Sequence, residues 1–106
     1  MKLTKTPTEC TGKEDIRDQI DRIDQEIIQL FALRADYVHE IVKYKSDEES
    51  VIAIDRKELV IKQRSEWAEQ AGLNKDTFRE IYSRLLQQNI SEELQLLHEK
   101  KQIEHV

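Results

Sequence analysis

The sequence predicts an all-α chain of three helices, long, short and long, on three observations. The composition is 37% charged and 38% hydrophobic with two glycines and one proline in 106 residues, a mix that favours helix and argues against a β-sandwich. Between Ile16 and Lys45 the apolar residues Ile16, Ile20, Ile23, Ile27 and Leu30 recur in alternating steps of four and three, and no Pro or Gly interrupts them. That is one face of an α-helix. At 1.5 Å per residue the stretch makes a rod of about 45 Å, longer than the roughly 35 Å diameter of a compact monomer of this size. A rod that overshoots its own globule, in a chain too polar for a thick core, calls for a partner chain.

The elements follow in order. Residues 1–10 are a polar lead with Pro7, expected to be extended or loosely docked. Thr11-Gly12-Lys13-Glu14 has the spacing of a capping box, in which hydroxyl and carboxylate satisfy the first orphan amides; it opens helix 1, about 12–45. The stretch 46–54, SDEESVIAI, reads as a loop whose carboxylates Asp47, Glu48 and Glu49 are solvated. A second capping box, Asp55-Arg56-Lys57-Glu58, opens helix 2, about 56–71, with Leu59, Val60, Trp67 and Ala71 as its apolar positions and Trp67 in the core. Gly72 suits the left-handed position after a helix. Asn74 caps helix 3, about 75–100, with Asp76 in its first turn. Its apolar stripe runs from Phe78 through Ile81, Leu85 and Ile90 to Leu97. With no internal repeat, residues 1–106 form a single domain.

Composition also excludes function classes. The net charge is −5 and no Lys/Arg run carries an aromatic ladder, so nucleic acid is not expected as a partner. The one cysteine, Cys10, excludes an internal disulfide and fits a reducing compartment. The start MKLTKTPTEC lacks a signal peptide's apolar core, and no apolar run approaches the length of a membrane span. A cytoplasmic protein is expected. His39, His98 and His105 are scattered, with no second ligand at metal spacing, so they are read as surface residues and no metal is expected.

The stripes themselves carry polar residues. Continuing the count of helix 1 past Leu30 brings Arg34 and Lys45 onto or beside the inward face, Arg17 starts the same helix, and Arg56 opens helix 2. In helix 3 a heptad step from Tyr82 gives Asn89 and one from Leu86 gives Glu93. Burying such groups without partners costs several kcal/mol, about 2–7 for a neutral polar group. Two readings are open. Each cation snorkels or pairs locally, Arg17 with Asp21 and Arg34 with Asp36 or Glu40; or the cations together line a pocket for a small anion.

The run DIRDQIDRIDQEIIQLFALRADYVHEIVKYK resembles the first helix of the all-helical chorismate mutase fold (AroQ class). Within that class the lead KTPTECTG, the segment IDRID, the run RADYV and the downstream SEWAEQAGL look most like isochorismate pyruvate lyases of salicylate and siderophore synthesis. The resemblance covers about Lys5 to Leu97 and implies an intertwined homodimer of three helices per chain, with two sites built from both chains and no cofactor. It implies that Arg17 reaches into the partner's site to bind a substrate carboxylate and that Arg34 binds the enolpyruvyl carboxylate. Lys45 would donate to the ether oxygen of the breaking bond, and Arg56 would contact the anion from the loop that closes the site. The second donor to the ether oxygen, usually Gln, falls on Glu93, which can donate only when protonated. Asn89 falls one turn earlier, at a variable position.

The chemistry accounts for these residue types. Both reactions of the class are pericyclic and need no nucleophile, metal or general base. A dicarboxylate must be held in a compact reactive conformer, which suits the fixed fork of a guanidinium, and charge growing on the ether oxygen must be stabilised. Ala53 and Lys57 stand where mutases commonly carry acidic residues for the chorismate ring hydroxyl, which favours the lyase. The loop VIAID lacks the proline-rich character of the lyases, and IDRKE looks like a mutase helix opening. Chorismate mutase is the alternative, with weak mutase activity compatible with the lyase; a non-catalytic helical dimer binding a metabolite or a partner helix is the third reading.

Overall fold

A computed structural model describes residues 5–104, and among them all regular structure is helical. The chain divides into two compact units, Met1–Tyr37 and Val38–Val106. His105 lies outside the described residues.

In the first unit a 3-10 turn at Pro7–Glu9 lies within the lead expected to be extended or loosely docked. The Glu9 carboxylate closes it by accepting the Thr6 amide at 3.2 Å and the Thr6 hydroxyl at 2.6 Å. Helix α1 follows at Lys13–Glu40. Its start is held by Asp15 in place of the expected capping box: the Asp15 carboxylate accepts the Thr11 amide at 3.0 Å and the Lys5 ammonium at 2.7 Å. Glu14 is instead drawn to Arg17, 2.7 Å away.

The Lys5 ammonium, and after it the Thr11 amide, hold the Asp15 carboxyl below its ordinary value of 3.8. A carboxyl lowered on folding stabilises the fold above the ordinary value and loses that contribution as pH falls through the lowered one. An NMR titration is expected to place the Asp15 midpoint below 3.8, with Lys5→Met moving it back up. An unmoved midpoint in that variant would contradict the pairing.

The apolar stripe of α1 stands open to solvent in the single chain, with Ile16 at 45%, Ile20 at 49% and Leu30 at 55% exposure.

The second unit begins in the last turn of α1. The helix does not run regularly to Lys45: from Ile41 to Tyr44 it tightens into a 3-10 turn, and Lys45 follows in extended conformation with its amide bonded to the Val42 carbonyl at 3.1 Å. The stretch expected as a loop contains a short helix, α2, at Glu48–Ile52. Asp47 caps it by accepting the Ser50 amide at 2.8 Å, while the Ser50 hydroxyl returns to the Asp47 carbonyl at 2.9 Å. Helix α3, Ile54–Gln70, starts two residues before its expected position. Its N-cap is Ala53, in left-handed conformation at φ 39°, and no side chain caps it. The Asp55 capping box therefore does not form.

Gly72, at φ 82°, ends α3 as expected. Leu73 N–H reaches back to the Ala68 carbonyl at 2.8 Å and Gly72 N–H to that of Glu69 at 3.0 Å, the paired bonds of a Schellman end. The Asn74 side chain accepts the Thr77 amide at 2.9 Å and opens α4, Lys75–Glu104. Helices α2 and α3 and the 3-10 turn all pack on α4. Val42, Val51 and Leu97 form the buried cluster where turn, α2 and α4 meet, flanked by Ile90, Leu94 and Leu96. Trp67, expected in the core, is 56% exposed, with the Arg64 guanidinium stacked over its ring at 4.6 Å. Among the described residues no helix is long and apolar enough to cross a membrane.

Candidate active site

The end of α1 delivers Lys45 to α4. The switch from 3-10 turn to extended backbone at Lys45 (φ −110°, ψ 134°) breaks the helical direction there. The side chain meets Glu93 across 48 residues of sequence, its Nζ donating to Glu93 Oε1 at 2.8 Å. Both side chains are largely removed from water, at 19% and 7% exposure. A pair so placed is costly to split, because removing one partner leaves an uncompensated buried charge, worth about 3–5 kcal/mol.

Asn89, one turn before Glu93, is buried at 6% exposure. The two polar residues on the apolar stripe of α4 thus lie inside the unit. Among the described residues no buried side-chain nitrogen or oxygen lacks a hydrogen-bond partner. Beside the pair, His39 Nε2 and Glu92 Oε2 are 2.8 Å apart, and Gln88 Nε2 donates to the other oxygen of Glu92 at 3.1 Å. The His39 contact and then the Gln88 contact hold the Glu92 carboxyl below its ordinary range. His98 ties α4 to α2 through Glu48 at 2.8 Å.

Arg56 stands exposed in the first turn of α3, in a shallow cleft with Glu48, Glu49 and Asp55. In the first unit Arg34 is half-buried on α1 and Arg17 is exposed, paired with Glu14 and not with Asp21. Among the six candidates the structure brings Lys45 and Glu93 together. His39 and His98 are read correctly as largely exposed, but each has a carboxylate partner that spacing alone could not supply. Among the described residues no group of three or more His, Cys, Asp or Glu is placed to hold a metal ion.

Sequence reasoning missed Lys100. Its Nζ donates to the main-chain carbonyls of Lys43 at 3.3 Å and Lys45 at 3.4 Å. The signal was present in its spacing, one heptad after Glu93 on α4, but a bond to backbone leaves no mark in the partner's residue type.

Chemically, the arrangement offers a partly buried ammonium that is oriented by a buried carboxylate. Such a group is a hydrogen-bond donor in a low-dielectric setting, where stabilising a developing oxyanion is worth far more than in water.

Comparison with known proteins bears on this geometry. The profile of the chorismate mutase type II family matches residues 16–94, a span that takes in Arg17, Arg34, Lys45, Arg56, Asn89 and Glu93. The chain is 36% identical over 90 residues to the isochorismate pyruvate lyase of Pseudomonas aeruginosa, covering 85% of this chain and 89% of that protein. It is 32% identical over 83 residues to the T-protein of Haemophilus influenzae, covering 77% of this chain and 22% of that much longer protein.

Proposed function

The chain belongs to the chorismate mutase type II family, and on that premise we propose that it is an isochorismate pyruvate lyase, converting isochorismate to salicylate and pyruvate. The ring–oxygen bond of the enolpyruvyl ether breaks and its oxygen becomes the keto oxygen of pyruvate. The hydrogen on the hydroxyl-bearing ring carbon passes to the enolpyruvyl methylene, which becomes the methyl group, and the ring becomes aromatic. Atoms and electrons balance without a base, a metal or a cofactor.

The observation that carries this reading is the Lys45–Glu93 contact at 2.8 Å, in a chain so similar to a lyase along most of its length. In the proposed complex the Lys45 ammonium turns toward the ether oxygen and meets the charge that grows there as the bond breaks. Glu93 holds that ammonium in place when substrate is absent and, when protonated, adds a second donor. Arg34 takes the enolpyruvyl carboxylate, Arg17 of one protomer takes the other carboxylate in its partner's site, and Arg56 closes over the anion. Asn89 supplies a polar contact beside them. Guanidinium forks suit this task because they fix carboxylates in plane.

The Arg17 role belongs with a homodimer, and the 42% to 55% exposure of Ile16, Ile20, Ile27 and Leu30 in the single chain supports that reading. The lone cysteine supports a cytoplasmic setting.

Chorismate mutase is the second reading, favoured by the family to which the chain belongs. Both are tested by offering the purified protein chorismate and isochorismate separately and following prephenate, salicylate and pyruvate. The lyase reading expects salicylate and pyruvate in equal amounts from isochorismate. Prephenate as the dominant product would replace it with the mutase. Silence on both substrates would leave a helical dimer that binds a metabolite or a partner helix.

A further inference from the structure

We infer that Lys100 is a positioning residue for Lys45, fixing the backbone from which the donor ammonium is presented. The inference rests on the proposed role of Lys45 and extends it to a residue beyond the span, 16–94, that the family profile matches.

The last carbonyls of any helical segment lack partners within it, and a cation placed there satisfies them and meets the negative end of the helix dipole. Lys100 does this at two carbonyls, those of Lys43 at 3.3 Å and Lys45 at 3.4 Å, one on either side of Tyr44. Lys45 is thereby held at three points. Its amide is bonded to Val42 at 3.1 Å, its carbonyl to Lys100, and its ammonium to Glu93 at 2.8 Å.

Two of those three holds come from one stripe of α4. Glu93, Leu97 and Lys100 follow in steps of four and three, which places them on one helical face. Leu97, at 1% exposure, fills the space between the two polar contacts by packing with Val42 and Val51. The stripe therefore grips the turn through a carboxylate, an apolar plug and an ammonium, and the geometry of Lys45 is set by all three.

The test compares Lys100→Met and Lys100→Arg with the wild-type protein on isochorismate, together with NMR hydrogen exchange of the Lys45 amide. Misplacing a catalytic group by about 1 Å costs up to roughly 100-fold in rate, so Lys100→Met is expected to lose about tenfold or more in kcat with KM nearly unchanged. The Lys45 amide exchanges faster in that variant, and Lys100→Arg, which also donates to two carbonyls, recovers most of the rate. Unchanged kcat in Lys100→Met overturns the inference, even where the melting temperature falls, since that pattern marks a merely structural contact. If the wild-type protein turns over neither substrate, the proposed function falls and exchange alone judges the grip: faster exchange at Lys45 supports it and unchanged exchange overturns it.

Discussion

Lys45→Met is expected to lower kcat by about 10²–10³, the cost of removing one preorganised donor to a developing oxyanion, about 2.7–4 kcal/mol in the barrier. The same substitution strands the Glu93 carboxylate at 7% exposure, so the protein is also expected to lose stability, by about 3–5 kcal/mol for an orphaned buried charge. The two effects are separable. In the double variant Lys45→Met/Glu93→Leu the buried charge is gone, and replacement of a buried ion pair by apolar groups is often neutral or stabilising. Its urea midpoint is expected to return toward wild type while turnover stays lost. Glu93→Gln, which keeps an acceptor for Lys45 and gains a donor for the ether oxygen, is expected to fold and to turn over. A double variant that regained activity would remove Lys45 from the chemistry.

Leu97→Ala is expected to cost about 2–5 kcal/mol, a large share of the roughly 5–15 kcal/mol that holds a domain folded. Leu97 is the most deeply buried side chain of the cluster with Val42 and Val51, and it lies between the two α4 residues that grip the Lys45 turn. Its truncation leaves a cavity where three elements meet, and the surrounding backbone can close over it only by moving the turn. Urea denaturation measures the loss, and a shift equivalent to less than about 1 kcal/mol, the size expected of a surface change, would show that the cluster does not organise the site.

What the sequence disclosed and what it hid divide along physical lines. Periodicity belongs to the chain itself, so the helical class, the α1 stripe and the inward face carrying Asn89 and Glu93 were legible. Asn74 and Gly72 were legible because cap and left-handed residue act on their immediate neighbours. The start of α3 was not: Ala53 takes a left-handed conformation that glycine normally signals, and Asp55 sits one residue inside the helix, where it cannot cap. Helix α2 was hidden because Asp47 and Ser50 form their cap in a run that reads as acidic loop.

Contacts distant in sequence were hidden for a different reason. Lys45 and Glu93 were each singled out by position on a stripe, but their meeting depends on how the turn lands on α4. Trp67 illustrates the converse error, since its size suggested core while α3 leaves it largely exposed in the single chain. The α1 stripe is likewise apolar yet open in the single chain, because the pattern that identifies a helix does not say whether its apolar face is covered.

In the proposed reaction the site works by holding and electrostatics alone, and no residue relays the transferred hydrogen. This is tested most directly with isochorismate deuterated at the hydroxyl-bearing ring carbon, turned over in ordinary water, with the pyruvate methyl group read by mass spectrometry. The deuterium is expected to be retained in that methyl group. Deuterium lost to solvent would contradict the proposed reaction, because the hydrogen would then have passed through a base.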